Sequence, residues 1–155
     1  TIYNHFQSKE SLLQELVADF LKARDGRKPI EYSSLESIES QLRSFAMAEI
    51  FLIDDPVRRS LSKLLTSVFL HNIELGAATR GNFNPYKNFV DWLNAARSDG
   101  KLDFASPELA ARMFYGLVEG CVTWAAVLTD GASLRMAEPL IDELIAVFLS
   151  RYGRR

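Results

Sequence analysis

The chain has 155 residues, 48% of them hydrophobic and 25% charged, enough for one domain to bury a sizeable core without metal or disulfide support. Its net charge of −2 removes composition as an argument for nucleic-acid binding. The single cysteine, Cys121, excludes a disulfide framework within the chain and points to a reducing, cytoplasmic setting, and no apolar run is long enough for a membrane span.

Taken in order, the elements are all helical. A short helical stub at the front is followed by Ser8, a cap ahead of KESLLQEL, which predicts a helix over 8–25 closed by Gly26. The polar stretch GRKPIEYSS is a joint. Ser33 with Glu36 three residues on reads as a capping box, predicting a helix over 34–53. Asp55-Pro56 pairs a capping side chain with a proline at the first helical position, where the missing N–H is no loss, and predicts a helix over 56–72.

ELGAATRGNFN, with Gly76 and Gly81, is the longest loop; no strand precedes it and its spacing fits no phosphate-binding pattern. Asn84-Pro85 and Ser106-Pro107 repeat the cap-proline signal and predict helices over 85–98, closed by Gly100, and 106–129, closed by Gly131. Ser133 opens the last, over 134–152, with Gly153 behind it. The expected fold is all-α, about six long helices plus the stub, with no internal repeat.

Periodicity assigns the faces. Leu35, Ile38, Leu42, Phe45, Glu49 and Leu52 recur at steps of three and four, which places Glu49 on an apolar stripe. The helix from Pro107 carries a single charge, Glu119, between Arg112 and Asp130, and is apolar nearly all round. The last helix sets Ala137, Leu140, Ile141, Leu144, Val147 and Phe148 on a broad face. Two such helices suggest a subunit interface containing Leu117, Cys121, Trp124, Leu140, Leu144, Val147 and Phe148; the alternative puts both inside one monomer's core. Gly116, Gly120, Ala125 and Ala126 would allow close helix approach, and Cys121 reads as a small hydrophobe.

Thr1-Ile2-Tyr3-Asn4-His5-Phe6, then Ser8-Lys9-Glu10 and Leu12-Leu13, resembles the end of the DNA-binding region of TetR-type transcriptional repressors. The resemblance is dense over thirteen positions and implies that the chain begins partway through a helix-turn-helix. It assigns DNA contacts to Thr1, Tyr3, Asn4, His5 and Lys9, with Ile2 and Phe6 as apolar anchors and Ser8 aiming a helix N-terminus at a phosphate. Residues 1–25 would then be the end of the recognition helix with the connecting helix, and 26–155 an effector-binding and dimerisation domain. NFVDWLNAARSDGKLDFASPELAARMFYGLVEG is similar to a recurring form of that domain.

The family's arrangement implies a homodimer, double-stranded operator DNA as partner of the full-length protein, a small apolar effector, and no cofactor or membrane. Its pocket would draw on Phe45, Glu49, Leu52, Phe69, Phe89, Trp92, Tyr115 and Glu119, within a wider set of aromatics that includes Phe51, Phe114 and Trp124. Glu49 and Glu119 are answered either internally, through Arg112 and Tyr115 in the case of Glu119, or by a cationic group on the effector. His71 and Glu74 stand three apart, but two histidines and one cysteine offer no full metal-ligand set. The rival reading is an all-α adaptor without DNA binding; no catalytic constellation supports an enzyme.

Overall fold

The computed structural model describes residues 11–12, 15–19, 28–72, 74, 86–129 and 137–154. Within them the regular elements are α1 (Ile38–Asp54), α2 (Pro56–His71), α3 (Lys87–Ser98), α4 (Pro107–Val118), a π-turn (Glu119–Thr123), α5 (Trp124–Leu128) and α6 (Ala137–Tyr152). The chain divides into two units: Thr1–Lys28 with Leu64–Phe83, and Pro29–Lys63 with Asn84–Arg155. In the first, residues 15–19 are helical with Val17 buried, and the second half of α2 carries buried Leu65.

α1 begins later than the capping box predicts. Ser37 is its cap, accepting from the Ser40 amide at 3.1 Å, and Ser33 to Glu36 lie outside the helix, leaving Leu35 exposed rather than on the apolar stripe. Gln41 explains the difference. Its side-chain oxygen accepts from the Ser33 amide at 2.9 Å while its Nε2 donates to the Ser33 carbonyl at 2.7 Å and the Glu36 carbonyl at 3.1 Å. A buried amide that satisfies these backbone groups holds the segment as a strap and displaces the local helix signal. The strap is tied further on: Asn88 exchanges two 3.1 Å hydrogen bonds with the Ile30 backbone, and Tyr32 donates to Asp99 at 2.5 Å.

The α1–α2 corner follows its sequence closely. Asp55 accepts from the amides of Val57 at 2.8 Å and Arg58 at 3.0 Å, and Arg59, buried, donates through Nη1 to the carbonyls of Ile53 and Asp54. One side chain covers the donors that open α2 and the other covers the carbonyls that close α1. Ser106 caps α4 as expected, accepting from Leu109 at 3.1 Å.

α3 ends on Gly100, whose φ of 72° is the left-handed turn that favours glycine. The chain then runs beside its own C-terminus: Asp103 donates to the Tyr152 carbonyl and Arg154 to that of Lys101, around the Leu102–Gly153 bridge. A Cβ at Gly153 would stand 2.6 Å from the Leu149 carbonyl oxygen, so the close approach requires glycine.

The predicted single helix over 106–129 is instead α4, a π-turn and α5. Ala110, Phe114, Val118, Val122 and Ala126 are all buried at a strict spacing of four. In an unbroken α-helix the last would lie about 160° round from the first. The π-turn takes up one extra residue, about 100° of helix, and brings both ends back to the core. Ser8, Gly26, Gly76, Gly81, Asn84-Pro85, Gly131 and Ser133 lie outside the described residues.

Candidate functional site

Phe89 on α3 is the centre of an aromatic cluster: Phe45 at 4.6 Å, Phe114 at 4.7 Å, and Trp92 and Tyr115 at 5.5 Å between ring centroids. Phe148 reaches it from α6. Edge-to-face and stacked rings at these spacings fill their own volume. Phe45, Phe89, Trp92 and Tyr115 therefore sit side by side in the core, with Tyr115 also stacked on Tyr86 at 4.8 Å. The indole of Trp92 is satisfied by Gln41 at 2.9 Å.

Two acidic residues lie just beyond this cluster. α1 and the α4–α5 segment run in the same direction: Phe45 and Tyr115 meet on Phe89, and further along both, Ile53 packs with Ala126 and Val127 in a second, smaller cluster. Glu49 is one turn past Phe45 and Glu119 one turn past Tyr115, so both residues stand between the levels of the two clusters along their helices, each half-buried. Leu52 is buried nearby on α1; Arg112 is exposed. Phe69 belongs to the other unit, and Phe51 is exposed.

The residues assigned to a subunit interface separate into two groups. Leu144 and Phe148 are 3% and 1% exposed and face the chain's own core with Ala137, Ile141, Ile145 and Tyr152, which corrects their placement on an outer face. The broad apolar face of α6 is thus a core stripe with Leu140 and Val147 standing outside it. On the other helix Trp124 is 45% exposed, Leu117 and Cys121 are half-buried, and Met113 and Leu128 join them on an outward apolar stripe. Gly116 and Gly120 lie in that stripe with open space over their Cα atoms.

Thr1, Tyr3, Asn4, His5 and Lys9 lie outside the described residues. His71 donates to the Ser67 carbonyl at 2.7 Å, one turn back on its own helix, and Glu74 is exposed. Among the described residues no group of three or more His, Cys, Asp or Glu could hold a metal ion, and no helix is long and apolar enough to cross a membrane.

Two features escaped the sequence reading. Gln41 lies three residues after Ile38 on the apolar stripe, and a polar side chain there was the available sign of a buried network. The π-turn was signalled by apolar spacing of four held too long for an α-helix.

The sequence profile of the AefR-like transcriptional repressor C-terminal domain matches residues 40–154. Comparison with curated protein sequences gives no match. Among solved structures, a TetR family transcriptional regulator from Pseudomonas syringae pv. tomato str. DC3000 aligns with a TM-score of 0.80 at 22% identity, over 99% of this chain and 79% of that one. A putative TetR-family regulator from Mesorhizobium loti MAFF303099 gives 0.77 at 22%, over 99% and 79%, and a TetR regulator from Agrobacterium tumefaciens 0.69 at 21%, over 99% and 77%. At these identities the structural likeness establishes the fold.

Proposed function

Because the chain belongs to the TetR family of transcriptional regulators, matching its AefR-like C-terminal domain over 40–154, we propose that it is the effector-responsive, dimerising body of a DNA-binding repressor. The observation that carries this reading is the joining of that domain, in one chain, to the motif TIYNHFQSKE. Thr1, Tyr3, Asn4 and His5 would then face bases and phosphates from a recognition helix, and Lys9 would add charge beside a phosphate.

Pairing is assigned to the outward stripe of Met113, Leu117, Cys121, Trp124 and Leu128 with Leu140 and Val147. An apolar face of this kind on a water-soluble helix calls for a partner. A symmetric homodimer places two recognition helices on successive major-groove turns, ~34 Å apart. The effector site is assigned to the level of Glu49 and Glu119, between Tyr115 and Leu52. Two half-buried carboxylates bordered by apolar clusters suit a small apolar effector bearing a cationic group. Phe45, Phe89 and Trp92 form its packed floor.

Effector binding would shift the population toward a spacing of the two readers that no longer fits operator DNA, and a few kcal/mol of coupling suffices. The test uses the full-length protein. Random duplexes selected for binding should converge on a two-fold symmetric site, and lipophilic amines should release it in the native protein but not in Glu49→Gln or Glu119→Gln. Failure to enrich any duplex would sink the repressor reading. Release that is undiminished in both variants would remove the assigned site alone.

A further inference from the structure

The segment around the π-turn has a sequence that accepts a second helical register without burying a charge, although the register observed buries more apolar volume. In the register observed, Val122, Ala126 and Val127 point inward while Trp124 and Leu128 point outward. If the π-turn closed into α-helix, residues after it would rotate by about 100°. The inward positions would then pass from Val122, Ala126 and Val127 to Cys121, Ala125 and Ala126. Each replacement is apolar, so neither register buries a charge or a strongly polar side chain.

The outward positions do change character. Thr123 and Val127 would replace Trp124 and Leu128, turning a large aromatic and a leucine away from the stripe. Gly120 within the turn and Gly116 before it have nothing within 4 Å of an added Cβ, so no neighbouring group locks the backbone on that side. α5 is five residues long and its Thr129 amide closes the last turn on the Ala125 carbonyl, so the segment that must rotate is short. The interior it would rotate against is the small cluster of Ile53, Ala126 and Val127 and the edge of the main core at Val122.

We propose that Glu119–Thr123 is a two-register switch, exchanging between π-turn and α-helix and thereby deciding which side chains the outward stripe presents. The exchange belongs to the single chain and does not depend on pairing, effector or DNA.

The experiment is thiol modification by iodoacetamide, read by mass spectrometry, in a Cys121→Ser background. Leu128→Cys, outward in the observed register, should react as an exposed thiol. Val127→Cys, inward, should react slowly but at a rate nearly independent of urea below the unfolding transition, because a register change exposes little surface. Deleting Gly120 removes the extra residue and leaves an unbroken α-helix with the observed facing throughout, so the reaction at Val127→Cys should fall by roughly tenfold or more, to the global unfolding limit. Reaction at Val127→Cys only through global unfolding, with the full urea dependence, overturns the switch. So does reaction that persists undiminished in a folded deletion variant. If the deletion prevents folding, the urea dependence alone decides.

Discussion

The indole nitrogen of Trp92 donates to the Gln41 side-chain oxygen at 2.9 Å, in a place where neither residue exposes more than 2% of its surface. The same oxygen takes the Ser33 amide, and Gln41 Nε2 returns a bond to the Ser33 carbonyl. Gln41→Leu keeps the volume and strands these partners. With each stranded buried group worth about 1–3 kcal/mol, the variant should lose about 2–4 kcal/mol in urea unfolding. A loss within error of zero would mean that the network is replaceable by packing.

Tyr32 donates to Asp99 at 2.5 Å, and its hydroxyl is pushed up from 10.0 to about 12, chiefly by burial and then by the hydrogen bond to Asp99 and that carboxylate's charge. The folded state therefore holds this proton more tightly than the unfolded chain. The stabilisation is complete below pH 10 and is lost as pH rises from there through about 12. Tyr32→Phe should flatten that part of the stability profile. An unchanged alkaline slope would show that Tyr32 does not carry it.

The cap-proline pairs located two helix starts to the residue because capping is local: Asp55 and Ser106 act on amides two or three positions away. The family motif and the helical class were legible for the same reason. The start of α1 was not, since Ser33 to Glu36 are held by Gln41 and the strap by Asn88 and Asp99, contacts that depend on where α3 lies. Nor were Leu144 and Phe148 separable from Val147 and Leu140. All four are apolar at helical spacing, and only packing against Phe89 and Phe114 shows which of them face the core. Glu49 was visible as a charge on an apolar stripe, but its standing, like Glu119, between the levels of the two clusters needed the parallel course of two helices.

At the start of α2, Asp55 accepts two backbone amides ahead of Pro56. Asp55→Ala should cost about 1 kcal/mol, with Asp55→Ser close to neutral, by thermal unfolding. Equal losses in both would assign the effect to something other than the cap.

Val147 and Phe148 are neighbours on α6 with opposite surroundings, 53% and 1% exposed. Phe148 packs on Phe114 at 5.3 Å and Tyr152 at 4.8 Å, so Phe148→Ala should lose about 3–5 kcal/mol of stability. Val147→Glu places a charge where the single chain leaves room for it, and in an isolated subunit should change unfolding little. If the outward stripe is where two copies meet, that charge must be buried at the junction, and Val147→Glu and Trp124→Glu should sediment as monomers with native helicity. Phe148→Ala should stay dimeric at temperatures where it remains folded. Glutamate variants that still sediment as dimers would move the pairing surface elsewhere on the molecule, whereas dissociation in Phe148→Ala alone would tie pairing to the integrity of the core.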